Sequence, residues 1–92
     1  MAQVTIELPS LLSPLVNGQG AISVESDSVA GALQALVELH PTLRVHLFDE
    51  SGGLRQHVFC FHNQTNTRWL GSIEVPVAEG DTITILQAVS GG

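Results

Sequence analysis

Apolar and polar positions alternate along this chain in blocks whose period moves from two to about 3.6 and back to two. Val4, Ile6 and Leu8 are interleaved with Gln3, Thr5 and Glu7, so Gln3 to Leu8 reads as a first strand with one apolar face. Pro9-Ser10 ends it. Ser10 to Gly20 carries Pro14, Asn17, Gly18 and Gly20, the residues of a loop or wide hairpin connection. Its Leu11, Leu12, Leu15 and Val16 are expected to tuck under the sheet edge. Ala21 to Glu25 is a second strand with Ile22 and Val24 on one side. The period then lengthens: Val29, Ala32, Leu33, Leu36 and Val37 recur on one helical stripe, with Gln34 and Glu38 off it. Asp27 and Ser28 suit the N-cap, and Pro41 ends the helix near His40. Leu43 and Leu47 predict a short turn or helical tail that keeps the return loop packed.

Beyond the Gly52-Gly53 turn, His57 to His62 is a third strand. Val58, Cys60 and His62 fall on one side of it; His57, Phe59 and Phe61 fall on the other. Asn63 to Asn66 is polar turn material, and Thr67 to Leu70 is expected to be a short fourth strand. A connection from Gly71 through Ile73, Val75, Pro76 and Val77 leads to the tight turn Ala78-Glu79-Gly80-Asp81. That turn feeds a last strand, Thr82 to Leu86, in which Thr and Ile alternate. One helical stripe and one sheet face must cover each other, which gives a two-layer α+β domain. The first and last strands share the strongest β-branched alternation and are placed side by side at the sheet centre. They are parallel, joined by a right-handed crossover through the helix. The expected fold is therefore a β-grasp, or ubiquitin-like, domain: a mixed sheet of four to five strands on one main helix. Residues 1–88 form the domain, and 89–92 a tail expected to be flexible.

Composition narrows the function. Ninety-two residues with 43% apolar content make one small folded domain. No apolar run approaches the ~18–20 residues of a membrane span, and the start lacks a basic leader, so a soluble cytoplasmic protein with no membrane partner is expected. A single cysteine, Cys60, excludes an internal disulfide and any four-cysteine metal site. Three arginines stand against nine acidic residues, giving a net charge of −6, and there is no lysine. Such a surface repels phosphate backbones, which argues against nucleic acid, and it suits a partner with a basic docking face. Without lysine, an activated C-terminal acyl group finds no internal ε-amine to attack it.

The candidate chemistry is sparse. His57 and His62 face opposite sides of a strand roughly 16 Å apart, and His40 and His46 flank a bend without a carboxylate at ligand spacing, so no metal site is expected. Cys60 lies in an apolar strand with no basic neighbour, which reads as a core residue. Asn63-Gln64-Thr65 fits a glycosylation sequon but accompanies no secretion signal. Phe59 and Phe61 either form an aromatic docking patch on the open sheet face, with Trp69 nearby, or pack beneath the Ser10–Gly20 loop. No nucleophile–base pair, phosphate loop or carboxylate dyad emerges, so the chain is not expected to be an enzyme. That leaves the terminus. Val89 to Gly92 would extend roughly 13 Å, and a glycine pair makes it thin enough to thread a narrow channel. A frayed end is the alternative.

Three segments add a resemblance: Leu47-Phe-Asp-Glu-Ser-Gly-Gly-Leu-Arg55 with Thr67-Arg-Trp-Leu-Gly71; Val77-Ala-Glu-Gly-Asp-Thr-Ile-Thr-Ile-Leu86; and Ala88-Val-Ser-Gly-Gly92. Together they resemble the MoaD/ThiS family of ubiquitin-like sulfur carriers, in its CysO-like, cysteine-biosynthesis branch. The family strand usually carries Asn before an aromatic and a β-branched residue after it, where this chain has Phe59 and His62. The resemblance implies that Gly92 is the acyl-adenylate and thiocarboxylate site and that Gly91 gives access to a partner's active site. Phe59, Phe61, Leu86, Ala88 and Val89 would meet the partner. It also implies an E1-like adenylating enzyme of the MoeB/ThiF type, which uses ATP, while the chain itself binds no cofactor. A sulfur-accepting biosynthetic enzyme and a metalloprotease complete the implied partners. A ubiquitin-like modifier joined through Gly92 to target lysines, and a pure interaction domain, stay open beside it.

Overall fold

The computed structural model describes residues 2–70 and 73–87. Its strands are β1 (Ala2–Glu7), β2 (Ala21–Ser26), β3 (Val58–His62), β4 (Thr65–Asn66) and β5 (Thr82–Gln87), with helices α1 (Val29–Leu39) and α2 (Arg44–Leu47). The five strands make one sheet in the order β2-β1-β5-β3-β4. β1 and β5 lie side by side in parallel, with Thr5 beside Thr82 and Ile6 beside Ile83. β1–β2, β3–β5 and β3–β4 are antiparallel. This is the β-grasp arrangement expected from the alternation.

Each period-2 strand gives one face to α1. Val4, Ile6, Val58, Ile83 and Ile85 are all buried, and they share one core with Val29, Ala32, Leu33, Leu36 and Val37 of the helical stripe. Each of these Val, Ile and Leu side chains contributes about 1.5–3 kcal/mol by leaving water, and Ala32 less. The helix start is fully tied down. Ser28 Oγ accepts the Gly31 N–H at 3.0 Å, and the Val29 and Ala30 N–H groups donate to the carbonyls of Val75 and Ile73 at 2.9 and 2.8 Å. Three of the donors that a helix leaves orphaned thereby find partners. Ser26 sits buried beneath this turn, donating to the Ser28 carbonyl at 2.9 Å. A Cβ at position 31 would run into Ser26 Oγ, so the close approach requires glycine. At the other end His40 N–H still bonds to Leu36 O. A 3-10 turn over Pro41–Leu43 then leads into α2, and Leu43 and Leu47 are fully buried, the packed return that their spacing predicts.

Two expectations change. Within the Ser10–Gly20 loop a 3-10 turn spans Ser13–Val16, and it buries Leu12 and Val16 while Leu11 and Leu15 stay 64% and 36% exposed. A single tight turn sends successive side chains in different directions, so the loop's four apolar residues cannot all face the core. Thr67 to Leu70 is a 3-10 turn and not a strand; the short fourth strand is Thr65–Asn66, within the stretch read as turn. Asn63 adopts φ 55°, which reverses the chain within two residues and pairs His62 with Thr65. Asn66 Oδ1 then accepts the Arg68 N–H at 2.9 Å, an Asx-type turn that competes with the ladder and ends the strand. Among the described residues no helix is long and apolar enough to cross a membrane.

Candidate docking face and C-terminal strand

The face of the sheet away from α1 is where the chain's unspent side chains collect. β3 and β5 are paired so that Phe59 stands opposite Leu86 and Phe61 opposite Thr84, while Cys60 opposes Ile85 on the covered side. Alternation thus delivers Phe59, Phe61 and Leu86 to one side of two adjacent strands. Leu86 is 45% exposed and both phenylalanines are half-buried. Leu12 and Val16 of the Ser10–Gly20 loop belong to the core cluster, which contains neither phenylalanine. The loop therefore closes the core, and the aromatic pair lies on the open face. Further along that face, Thr84 Oγ1 donates to Glu7 Oε1 at 3.2 Å.

Arg68 completes the aromatic corner, a role that no periodicity or spacing points to. Its guanidinium lies 4.7 Å from the Phe59 ring centroid, a cation–π arrangement. The same group donates to the carbonyls of Gln56 and Val58 at 3.1 and 3.0 Å. β4 pairs only with Phe61 and His62 of β3, so Arg68 takes up carbonyls further along that outer edge. The turn that replaced the expected strand is what aims Arg68 back across β3. Trp69, expected near this patch, has a side chain outside the described residues.

A second polar network fixes the approach to β5. Asp81 accepts the Ala78 N–H at 2.8 Å, meets His62 Nε2 at 2.7 Å and accepts from Asn63 Nδ2 at 3.3 Å. Asn63 Oδ1 accepts the Thr82 N–H at 3.0 Å. The Ala78 N–H, then the His62 hydrogen bond, hold the Asp81 carboxyl below its ordinary 3.8. His62, which alternation places on the Val58 side, finds its partner nineteen residues on. Only the β3–β5 register could have disclosed that pairing. Cys60 is 1% exposed, and burial pushes its thiol up to about 11, so it is a core residue. Among the described residues no three His, Cys, Asp or Glu side chains gather as a metal site would need. Ala88, Val89, Gly91 and Gly92 lie outside the described residues, as does the 88/89 boundary between domain and tail.

A mixed sheet wrapped on one helix, with its central last strand running toward a Gly-Gly terminus, defines a ubiquitin-like β-grasp protein. The ThiS family model matches residues 13–92, and the chain belongs to the ThiS family. It is 32% identical over 91 residues to the sulfur carrier protein CysO of Mycobacterium tuberculosis, covering 97% of this chain and 98% of that protein. Among solved structures it is similar to a chain of the Amycolatopsis orientalis BexX/CysO complex, with a TM-score of 0.86 at 28% identity over 97% of this chain and 99% of that one. It is also similar to small archaeal modifier protein 1 of Methanosarcina acetivorans, with a TM-score of 0.85 at 28% identity over 100% of this chain and 98% of that one.

Proposed function

We propose that this chain is a sulfur carrier, not itself an enzyme, whose Gly92 carboxylate is adenylated and then converted to a thiocarboxylate. The observation that carries the reading is its 32% identity, over 97% of its length, to a protein that is a sulfur carrier. An adenylating enzyme of the E1-like MoeB/ThiF type is the proposed partner. A Gly92 carboxylate oxygen attacks the α-phosphorus of ATP and pyrophosphate leaves. Sulfide from a donor then attacks the acyl carbon, the C–S bond forms, and AMP departs with the oxygen. A thiocarboxylic acid is far more acidic than a thiol of pKa ~8.5, so the tethered sulfur is ionised and nucleophilic at neutral pH. A biosynthetic enzyme accepts the sulfur for cysteine or another sulfur-containing metabolite, and a metalloprotease would trim an acyl adduct from the terminus. ATP and the catalytic groups belong to the partners.

The carrier's own part is positional. Phe59, Phe61 and Leu86 dock, Ala88 and Val89 continue that contact, and Gly91 lets the last residues through a narrow passage without a Cβ. A relative that forms a complex with BexX supports action through docking. The test is intact mass after incubation with ATP, sulfide and the cognate adenylating enzyme. A gain of about 16 Da, one oxygen exchanged for sulfur at an acyl group, is expected on the native chain. Deleting Gly92, or Gly91→Ala, should leave folding unchanged and slow the gain by on the order of 10²-fold, because a small misplacement of a reacting atom costs that much. An equal gain on the chain lacking Gly92 would overturn the reading.

The likeness to small archaeal modifier protein 1 favours a second reading, attachment through Gly92 to lysines of other proteins. The two share activation and differ in acceptor. Conjugates of higher mass in place of the thiocarboxylate would select the modifier.

A further inference from the structure

The sheet has two edges, and they are treated differently. On the outer side of β3, β4 pairs with Phe61 and His62. Thr67 Oγ1 donates to the Cys60 carbonyl at 2.9 Å, and Arg68 donates to the carbonyls of Gln56 and Val58. That edge is closed. The other edge is β2. Leu8 N–H donates to Gly20 O at 2.9 Å, one step beyond the Glu7–Ala21 pair. Hydrogen-bonded pairs alternate along an antiparallel ladder, so Ile6–Ile22 and Val4–Val24 bond in the same way. Ala21, Ser23 and Glu25 therefore turn their N–H and C=O groups outward, and among the described residues none of these groups has a partner.

Free edges are commonly guarded by proline, lysine, a bulge or an inward-pointing charge. β2 has none of these. Its register with β1 is continuous, and its one charge, Glu25, is exposed on the open face. Ala21 and Ser23 are small and exposed, which leaves room for another backbone. An apolar groove runs beside them, because α1 packs over β2. Ala30 and Gln34 lie on the flank of α1 toward β3, where they line a cavity with Val58 and Thr67. At ~100° per residue, Ala35 and Leu39 fall on the opposite flank, toward the free edge. Leu39 is 60% exposed, and Ile22 and Val24 below keep 8% and 6% exposure where Ile6 and Ile83 have none. Glu25 and Glu38 are the only charged residues of β2 and α1.

We infer that the β2 edge accepts an extended, basic segment of a partner protein as an added strand. The segment's backbone bonds to the outward groups of Ala21, Ser23 and Glu25, and its side chains alternate between the groove and the open face. The groove-facing set is apolar, to cover Ile22, Val24 and Leu39. The other set is polar, beside Ser23, with Lys or Arg next to Glu25. Charge complementarity thus decides the occupant. A second copy of this chain matches it less well, since β2 brings Glu25 and no cation to a pairing with itself. β1 separates this edge from β5, so the surface is distinct from the corner of Phe59 and Leu86.

The probe is the peptide acetyl-Lys-Val-Thr-Ile-Thr-Val-Lys-amide, titrated into the full native chain and followed by amide NMR and calorimetry. The amides of Ala21, Ser23 and Glu25 should shift and gain protection from hydrogen exchange, while those of Phe59 and Phe61 stay unchanged. A matched pair of peptides carries N-methyl groups, one on the Val and Ile residues, the other on the Lys and Thr residues. Only one of these sets of amides can face β2. One methylated peptide should therefore bind at least about tenfold more weakly, for the loss of two or more hydrogen bonds, and the other should keep the parent affinity. Glu25→Gln should weaken the parent peptide by about 2- to 5-fold at low salt. Leu39→Ala should weaken it by about 3- to 10-fold through lost apolar cover. Equal affinity for the two methylated peptides, shifts confined to Phe59 and Leu86, or no binding up to about 1 mM peptide overturns the inference. So does protection of the β2 amides by self-association, seen as a dimer in sedimentation. A failed 16 Da gain with the adenylating enzyme bears on the carrier reading alone.

Discussion

Ile85 and Leu86 are neighbours on one strand, yet they belong to different economies of the molecule. Ile85 is 0% exposed and faces α1 with Cys60 across from it; Leu86 is 45% exposed and stands opposite Phe59 on the open face. On the covered side every apolar residue has a partner within the chain, and its identity is fixed by packing. On the open side, apolar residues are retained without internal cover, at the corner where Arg68 lies over Phe59. The difference teaches that one alternating strand can carry two kinds of surface, one packed into the fold and one left open to solvent.

The largest expected effect is on the covered side. Ile85→Ala should cost about 2–5 kcal/mol by denaturant unfolding. That is a large share of a total on the order of 5–14 kcal/mol for a chain this long. A cost under about 1 kcal/mol would erase the distinction between the faces, because it would mean that Ile85 is no better packed than a surface residue.

What could be read from the sequence divides along the same line. The stripe Val29, Ala32, Leu33, Leu36 and Val37 and the alternations at Val4–Ile6 and Ile83–Ile85 encode burial directly, since a period matches a face. The same alternation put Phe59 and Phe61 on the other side of β3 but left open whether the Ser10–Gly20 loop covers them, because a loop's path has no period. Thr67–Leu70 was not legible as a turn, because its conformation is decided by the positive φ of Asn63 and by the Asn66 side chain accepting the Arg68 N–H. Neither leaves a periodic trace. Arg68 stayed hidden for that reason: its aim depends on the turn. His62 and Asp81 are joined by register across nineteen residues, and no local pattern contains register.

The Asp81 network gives an effect of intermediate size and sharpens the comparison at the entry to β5, where hydrogen bonds join it to the end of β3. Its folded carboxyl titrates below the ordinary 3.8 because the Ala78 N–H and His62 favour the charged form. The unfolded state therefore binds the proton first as acid is added. Stability from this group is fully present above about pH 4 and is lost as pH falls from there through the lower folded value. Asp81→Asn should flatten that part of the stability-against-pH curve, measured by denaturant midpoints. Asp49 is also held low by Ser51 and contributes equally to both proteins, so the difference between the two curves isolates Asp81. Parallel curves would show that the Ala78–Asp81 turn is held by its backbone alone.

The smallest effect on the fold, and the most telling for the open face, is expected from Leu86→Ala. Nearly half of this side chain is already in water, so its truncation should change unfolding free energy by no more than about 0.5 kcal/mol. If the open face docks on the adenylating enzyme, the same change should raise the KM for the carrier by about 5- to 30-fold, equivalent to the 1–2 kcal/mol of an anchor residue. Its kcat should hold, since Leu86 is remote from the reacting carboxylate and contributes the same binding to ground and transition states. Steady-state pyrophosphate release against carrier concentration separates the two constants. An unchanged KM with Leu86 truncated, and again with Phe61→Ala, would mean that the partner grips the carrier elsewhere and that these exposed apolar residues answer to a different molecule.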